Sequence, residues 1–323
     1  MCTSIFVSDT ARLFGRNLDV EIGYGTSVII TPRDYTLSFR RSEKLTHHNA
    51  IIGSGIILRG YPLYFDAANE YGLAIAGLSF VGNAKYFTPS PNKLNVASFE
   101  LIPYILATAK NTDEARDELA RINVTDVPFS RDMPPSDLHW MIADRHSCIV
   151  IEQTNNGLKV YDNPVGVLTN NPPFPFHLYN LDGHLNLTSN EPKNRFSDKI
   201  KLDRYSRGMG AIGLPGDLSS ASRFVRAAFT KLNATLGKDT EHSISQAFHI
   251  LASVEQTDGC AKVGDKYEYT EYSSVINLDT LTYYYRTYAN SAISAVRLFS
   301  EDLDSSALIS YPTSSSENIT YKN

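Results

Sequence analysis

Met1-Cys2-Thr3-Ser4 opens the chain, and its second residue sets the reading of everything that follows. Methionine aminopeptidase removes an initiator methionine when the next side chain is small, as cysteine is. Removal would leave one residue with both a thiol, ordinarily of pKa about 8.5, and a free α-amine, at about 7.7–8.0. A nucleophile and a general base then belong to the same residue, the logic of N-terminal threonine nucleophiles. Cysteine after methionine is also an ordinary event, so the case rests on its surroundings.

Outward from Cys2, Ser4-Ile5-Phe6-Val7 and Arg12-Leu13-Phe14-Gly15-Arg16 flank the polar turn Ser8-Asp9-Thr10, which predicts a hairpin. The segment Phe14-Gly15-Arg16-Asn17-Leu18-Asp19 then runs back toward Cys2. An arginine beside a thiol favours the thiolate. A carboxylate at Asp19 can orient the amine. The plainer alternative is a surface ion pair worth about 1 kcal/mol or less.

Composition narrows the classes. Of 323 residues, 42% are hydrophobic and 20% charged, as in globular proteins with ample core material. The length fits one large domain or two ordinary ones. A net charge of -5 argues against a nucleic-acid partner. The N-terminus lacks the basic-then-apolar pattern of a signal peptide, and no apolar run reaches the roughly 18 residues of a membrane span. The chain therefore reads as cytoplasmic, with no stable membrane association. Cys2, Cys148 and Cys260 give neither a disulfide framework nor a zinc cluster. Cys148, in Cys148-Ile149-Val150-Ile151, reads as a buried small hydrophobe. Asn-X-Thr triplets at Asn123, Asn186, Asn233 and Asn318 carry little weight without a secretory signal.

Residues 2–87 read mostly as strands, including 27–31, 50–53 and 73–78. Residues 98–122 read as two helices, capped by Ser98 and Thr112, with Pro103 tolerable only near the start of the first. Strands resume over 138–169. Helices are expected over 221–232, capped by Ser220, and 243–254, and hairpins over 267–277, 281–288 and 292–298. Strand runs alternating with helical blocks suggest two sheets with helices packed outside. The β-α-β-α alternation of a doubly wound fold is missing.

Gly208-Met209-Gly210-Ala211-Ile212-Gly213 matches a dinucleotide-binding pattern in letters only, because no strand precedes it and Leu214-Pro215-Gly216 follows. The eight histidines show no zinc spacing. Val167-Leu168-Thr169-Asn170-Asn171-Pro172 ends a β-rich run at a turn, where an amide can serve an oxyanion hole or simply form the turn. Arg223 falls in a helix's first turn, against the macrodipole, which suggests that its charge is wanted there.

Together these pieces resemble the choloylglycine hydrolase family of conjugated bile salt hydrolases and penicillin V acylases, which are N-terminal-nucleophile amidohydrolases. The matching segments are Met1-Cys2-Thr3, residues 14–19, Tyr61-Pro62-Leu63-Tyr64-Phe65-Asp66, Leu138-His139-Trp140, residues 162–172 and residues 213–224. They span nearly the whole chain and look most like bile salt hydrolases of Gram-positive gut bacteria. The resemblance implies one domain over residues 1–323 with Met1 removed, an α+β fold built as an αββα four-layer sandwich of two mainly antiparallel sheets, and a homotetramer assembled through residues 185–207. It implies Cys2 as nucleophile, Asp19 holding its amine, Arg16 and Arg223 beside the thiol, and Asn170 in the oxyanion hole.

The second oxyanion position falls at Ser79, where bile salt hydrolases usually carry Asn and penicillin V acylases Tyr. A backbone N–H there would tolerate serine; a side-chain role would not. Leu18, Tyr24, Leu58, Phe129 and Met133 are implied as a steroid pocket, apolar as such a ligand requires, although core packing would select the same residues. The implied reaction is hydrolysis of glycine- or taurine-conjugated bile acids through a thioester, with no metal or cofactor. Penicillin V or N-acyl-homoserine-lactone acylation chemistry on the same site, or a silent bile-acid-binding homologue, are the alternatives.

Overall fold

The computed structural model describes residues 1–323. Cys2–Ser8 (β1) and Arg12–Val20 (β2) form the expected hairpin, with β2 continuing beyond Arg16. Ser27–Thr31 (β3), Ile51–Leu58 (β4), Tyr61–Asn69 (β5) and Ala74–Ser79 (β6) follow. Leu94–Ala97 (β7) leads into helices Leu101–Thr108 (α1) and Thr112–Arg121 (α2), then Ile122–Thr125 (β8). Leu138–Ala143 (β9), Cys148–Thr154 (β10), Gly157–Asp162 (β11) and Val167–Leu168 (β12) precede three helices, Phe174–Leu181 (α3), Ser220–Asn233 (α4) and Thr240–Ala252 (α5). Ala261–Val263 (β13), Lys266–Asn277 (β14), Thr282–Thr287 (β15), Asn290–Arg297 (β16) and Ile309–Pro312 (β17) close the chain.

One sheet runs β12-β1-β2-β14-β15-β16, with β13 added beside β14; the other runs β11-β10-β9-β6-β5-β4-β3-β17. Every pairing in both is antiparallel. Helices α4 and α5 lie on the first sheet, and α1 on β4, β5 and β6 of the second, with α2 beside it. This is the expected four-layer αββα order.

Strand β10 shows why the central strands read as unbroken apolar runs. Cys148 and Val150 face the core between the sheets, while Ile149 and Ile151 face the core beneath α1 and α2. A strand covered on both faces cannot alternate with polar residues.

Several boundaries differ from the sequence reading. Ser98 begins a 3-10 turn, Ser98–Glu100, and does not cap α1; the Glu100 carboxylate accepts from Ala97 N. Asn111, not Thr112, caps α2, and Ser219, not Ser220, caps α4, each accepting from a backbone N–H of the first turn. In each pair two adjacent residues can serve, and only the backbone direction chooses. Helix α3 and the short parallel pair β7–β8 were not anticipated. Gly208 adopts φ 76° and leads into a single 3-10 turn, Met209–Ala211.

Candidate active site

The β1–β2 register builds the centre of the site. Cys2 pairs with Leu18 and Ser4 with Arg16. Directly opposed side chains share a face, and diagonal neighbours lie within reach of a long side chain. Arg16 therefore joins Cys2 on the face toward the second sheet, and its Nη2 donates to Cys2 Sγ at 2.9 Å. Asn17 and Asp19 fall on the opposite face, toward the helices, where Asn17 Nδ2 donates to Leu251 O of α5. The alternation of one strand thus sends the thiol and the Asp19 carboxylate to different layers.

Arg16 is fully buried. Its Nη1 donates to Phe65 O at 2.6 Å and lies 3.9 Å from Asp66 Oδ1. Phe65 is the extra residue of a bulge in β5, since Ser54 pairs with Asp66 but Gly55 with Tyr64. The bulge turns a carbonyl out of the ladder and toward the guanidinium. Burial opposes the Arg16 charge, but Cys2, Tyr272 and Asp66 outweigh it and hold its pKa above the ordinary arginine value. Asp66 accepts from the hydroxyls of Tyr272, Ser274 (2.9 Å) and Tyr283 (2.8 Å). Burial nevertheless pushes its carboxyl above the usual range.

On the helix side, Asp19 accepts from Thr270 Oγ1 at 2.7 Å and Gln256 Nε2 at 3.4 Å, with Arg223 Nη1 3.9 Å away. A bulge at Glu271 places Thr270 opposite Asp19 but Tyr272 opposite Leu18, so these two residues serve opposite faces of the sheet. Burial raises the Asp19 pKa, against Arg223 and the N-terminal ammonium. Arg223, also fully buried, donates to Cys2 O (2.6 Å), Thr3 Oγ1 (2.7 Å), Asn170 Oδ1 (2.7 Å) and Leu218 O (3.0 Å). Its awkward place in the first turn of α4 is explained by this set of acceptors.

Met1 extends the ladder by one pair: Met1 N donates to Asp19 O, and Asp19 N to Met1 O, both at 3.0 Å. The Met1 ammonium also meets the Glu268 carboxylate. Burial lowers its pKa. With Met1 attached, Cys2 N is an amide, and it donates to Asn170 Oδ1 at 2.9 Å, not to Asp19.

Every polar atom of Asn170 is engaged. Its N donates to Ser220 Oγ, its O faces His177 Nε2, its Oδ1 accepts from Cys2 N and Arg223, and its Nδ2 donates to Ser79 O at 2.8 Å. An amide nitrogen carries two hydrogens, so one remains for a ligand. Phe80 N donates to Asp137 O, just before β9. The alternation of an antiparallel ladder then turns the Ser79 N–H away from β9. On that other side, pairing with β5 ends at Asp66↔Ala76, so the Ser79 N–H points to the same side as the carbonyl that meets Asn170.

The expected pocket residues fall into two groups joined through β5. Leu18 sits opposite Cys2, and the Tyr24 ring packs on Phe65 at 5.3 Å. Leu58 pairs with Tyr61, whose ring meets Phe129 at 6.2 Å, and Phe129 N donates to Met133 O. Tyr24 and Met133 are exposed, at 49% and 37%, whereas Leu18 and Phe129 are buried. A cavity of about 650 Å³ lined by Phe87, Arg116, Leu119, Asn123 and Leu158 lies apart from all of them.

Sequence reasoning missed Thr270, Gln256, Asp66, Tyr272, Ser274 and Tyr283 as partners of the charged centre. Thr270 lies 251 residues from Asp19. The available signal was the set of hydroxyls at Thr270, Tyr272, Ser273 and Ser274 in an expected strand, unusual for a strand buried on both faces.

The chain belongs to the choloylglycine hydrolase family of linear amide C–N hydrolases, whose model matches residues 2–311. It is 53% identical over 313 residues to a bile salt hydrolase/transferase of Lactiplantibacillus plantarum, covering 97% of each chain. It is 39% identical to a bile salt hydrolase/transferase of Bifidobacterium longum, covering 96% of this chain and 99% of that one. A variant of the conjugated bile acid hydrolase from Clostridium perfringens superposes with a TM-score of 0.93 at 34% identity, each chain fully covered. Penicillin V acylase from Agrobacterium tumefaciens shares the fold at a TM-score of 0.75 and 18% identity, over 96% of this chain and 90% of that one.

Proposed function

We propose that this protein hydrolyses the amide of glycine- or taurine-conjugated bile acids, with the Cys2 thiolate as nucleophile once Met1 has been removed. The observation that carries this reading is Arg16 Nη2 at 2.9 Å from Cys2 Sγ, in a chain matched by the family model over residues 2–311. The relatives named for bile salt and conjugated bile acid hydrolysis support the substrate class.

In this reading Sγ attacks the amide carbon and the oxyanion is held by the second Nδ2 hydrogen of Asn170 and the Ser79 N–H. The freed α-amine, held by Asp19 and Asn170 Oδ1, takes the Cys2 thiol proton and passes it to the nitrogen of the departing amino acid as the C–N bond breaks. Water then cleaves the thioester. Leu18, Tyr24, Leu58, Phe129 and Met133 contact the steroid, and Arg223 holds the Cys2 backbone. Serine at position 79 is accommodated because the backbone donates.

We read residues 1–323 as one cytoplasmic domain. Leu185, Phe196 and Tyr205, each at least 79% exposed, support assembly into a homotetramer through residues 185–207, which light scattering would check. No helix is long and apolar enough to cross a membrane.

The test is direct. Cys2→Ala should fold, bind glycocholate and release no glycine; release by that variant refutes the assignment. Faster cleavage of phenoxyacetyl or acyl-lactone amides than of bile conjugates by the native enzyme would shift the substrate class to those acyl groups.

A further inference from the structure

Between the two sheets' ends, behind Asn170, lies a buried pair that the mechanism above does not use. His139 of β9 and Glu152 of β10 are 0% and 1% exposed. His139 Nδ1 lies 3.2 Å from Glu152 Oε1, and its Nε2 lies 3.0 Å from Thr169 O. Both ring nitrogens face acceptors. The carbonyl of Thr169 can only accept, so Nε2 carries a proton. A second proton must lie between Nδ1 and the carboxylate. Ring, carboxylate and the two backbone groups thus satisfy one another, as a dry interior requires.

Each member grips one end of the same loop. Nε2 holds the carbonyl of Thr169, just before Asn170. Glu152 Oε1 accepts from Phe174 N at 2.8 Å, where α3 begins. The segment between these grips, 170–173, carries the oxyanion amide. The same imidazole also stacks on Phe80, with centroids 4.3 Å apart and planes 6° from parallel. Phe80 follows Ser79 directly. One ring thus touches the chain next to both oxyanion donors, which lie 91 residues apart in sequence. The loops meet again where Asn171 Nδ2 donates to Val81 O at 2.6 Å.

We propose that the His139–Glu152 pair is the positioning element of the oxyanion site, fixing Asn170 Nδ2 and the Ser79 N–H at the spacing the tetrahedral intermediate requires. Neither residue touches substrate. The inference rests on the reading of Asn170 and Ser79 given above. A misplaced donor costs most where charge develops, so the pair should act on turnover rather than on binding.

The experiment uses processed full-length enzyme. His139→Leu/Glu152→Met replaces the whole pair with apolar groups, avoiding a lone buried charge. Glu152→Gln keeps the Phe174 grip alone, because Glu152 Oε1 serves both Phe174 N and the ring, and an amide oxygen in its place accepts from Phe174 but brings no proton to Nδ1. For glycocholate, the double variant should lose about 10–100-fold in kcat, with KM changed by less than about twofold. Alkylation of Cys2 by iodoacetamide should proceed at the native rate, and Glu152→Gln, which breaks the ring contact alone, should lose less kcat than the double variant. A folded double variant with native kcat, or one whose alkylation slows in step with kcat, overturns the proposal. If the double variant does not fold, His139→Gln decides, and native kcat there overturns it equally. Asn170→Ala is run alongside: if it keeps its activity, the oxyanion assignment itself fails, whereas its inactivity beside a fully active pair variant rejects only the positioning role.

Discussion

Arg16 Nη2 and Cys2 Sγ lie 2.9 Å apart, the arginine fully buried and the cysteine 5% exposed, so the thiol has a cationic donor in place before any substrate arrives. The contact follows from a two-strand register, Ser4↔Arg16 and Cys2↔Leu18, which holds the guanidinium one step along the same face.

Removing that donor should weaken the nucleophile more than the fold's ability to bind substrate. Arg16→Leu is expected to lower kcat/KM about 100-fold or more, corresponding to about 2.7 kcal/mol at 1.36 kcal/mol per tenfold. It should also slow iodoacetamide alkylation of Cys2 in parallel. Native alkylation with lost turnover would instead assign Arg16 to substrate contact.

The amine end gives a pH prediction. Burial lowers the ammonium pKa at Met1, with Arg223 acting in the same direction against Cys2 and Asp19. The Cys2 α-amine takes over this environment after processing, one residue along. A lowered pKa keeps the amine in its basic form at lower pH than a free terminus. The acid limb of the kcat/KM profile should therefore inflect below the ordinary 7.7–8.0. An inflection at or above 8 for an amine-dependent step would contradict it.

Asp66 should matter for stability. Asp66→Ala strips the partner from Arg16 and from three hydroxyls at the interface of the sheets. Breaking a buried pair this way costs about 3–5 kcal/mol, readable by urea denaturation. The pH dependence has a defined sign. The folded carboxyl pKa is raised above 3.8 by burial, so its contribution is fully present below that value and lost as pH rises through the folded pKa. Between pH 4 and 8, the stability difference should move in favour of Asp66→Asn as pH increases. Movement the other way would mean that the hydroxyls and Arg16 outweigh burial.

The thiols should separate by reactivity. Burial pushes the Cys148 thiol well above its ordinary value, and its side chain lies in the core between the sheets. Cys260 is exposed. Intact-mass analysis under limiting iodoacetamide should show modification at Cys2 and Cys260, with Cys148 untouched until the protein unfolds. Early modification of Cys148 would show that the inter-sheet core opens.

Local sequence accounts for much of the architecture. The apolar run through Cys148–Ile151, the helical faces after Ser98 and Thr112, and the terminal hairpins were readable because each depends on nearest neighbours. Helix α3 was not, because Phe174-Pro175-Phe176 follows two prolines and reads as a turn, whereas in the fold Glu152 accepts its first N–H. The caps of α2 and α4 fall one residue earlier than expected for a local reason: either of two adjacent polar residues can serve.

The active-site inventory divides along the same line. Cys2, Arg16 and Asp19 lie within one hairpin, so turn length and strand alternation alone set Arg16 beside the thiol and the Asp19 carboxylate on the opposite face. Asn170 and Arg223 stand out in sequence as residue types at odds with their local surroundings, an amide at a strand end and a cation at a helix start. What the linear chain could not express is the buried polar scaffold around them: Thr270 on Asp19, Tyr272 and Tyr283 on Asp66, His139 and Glu152 bracketing Asn170. Those contacts join strands far apart in the chain. Those around Asp19 and Asp66 depend on two bulges, at Phe65 and Glu271, each shifting which face a side chain takes, and a bulge is fixed by the packing of whole sheets rather than by the letters at one position.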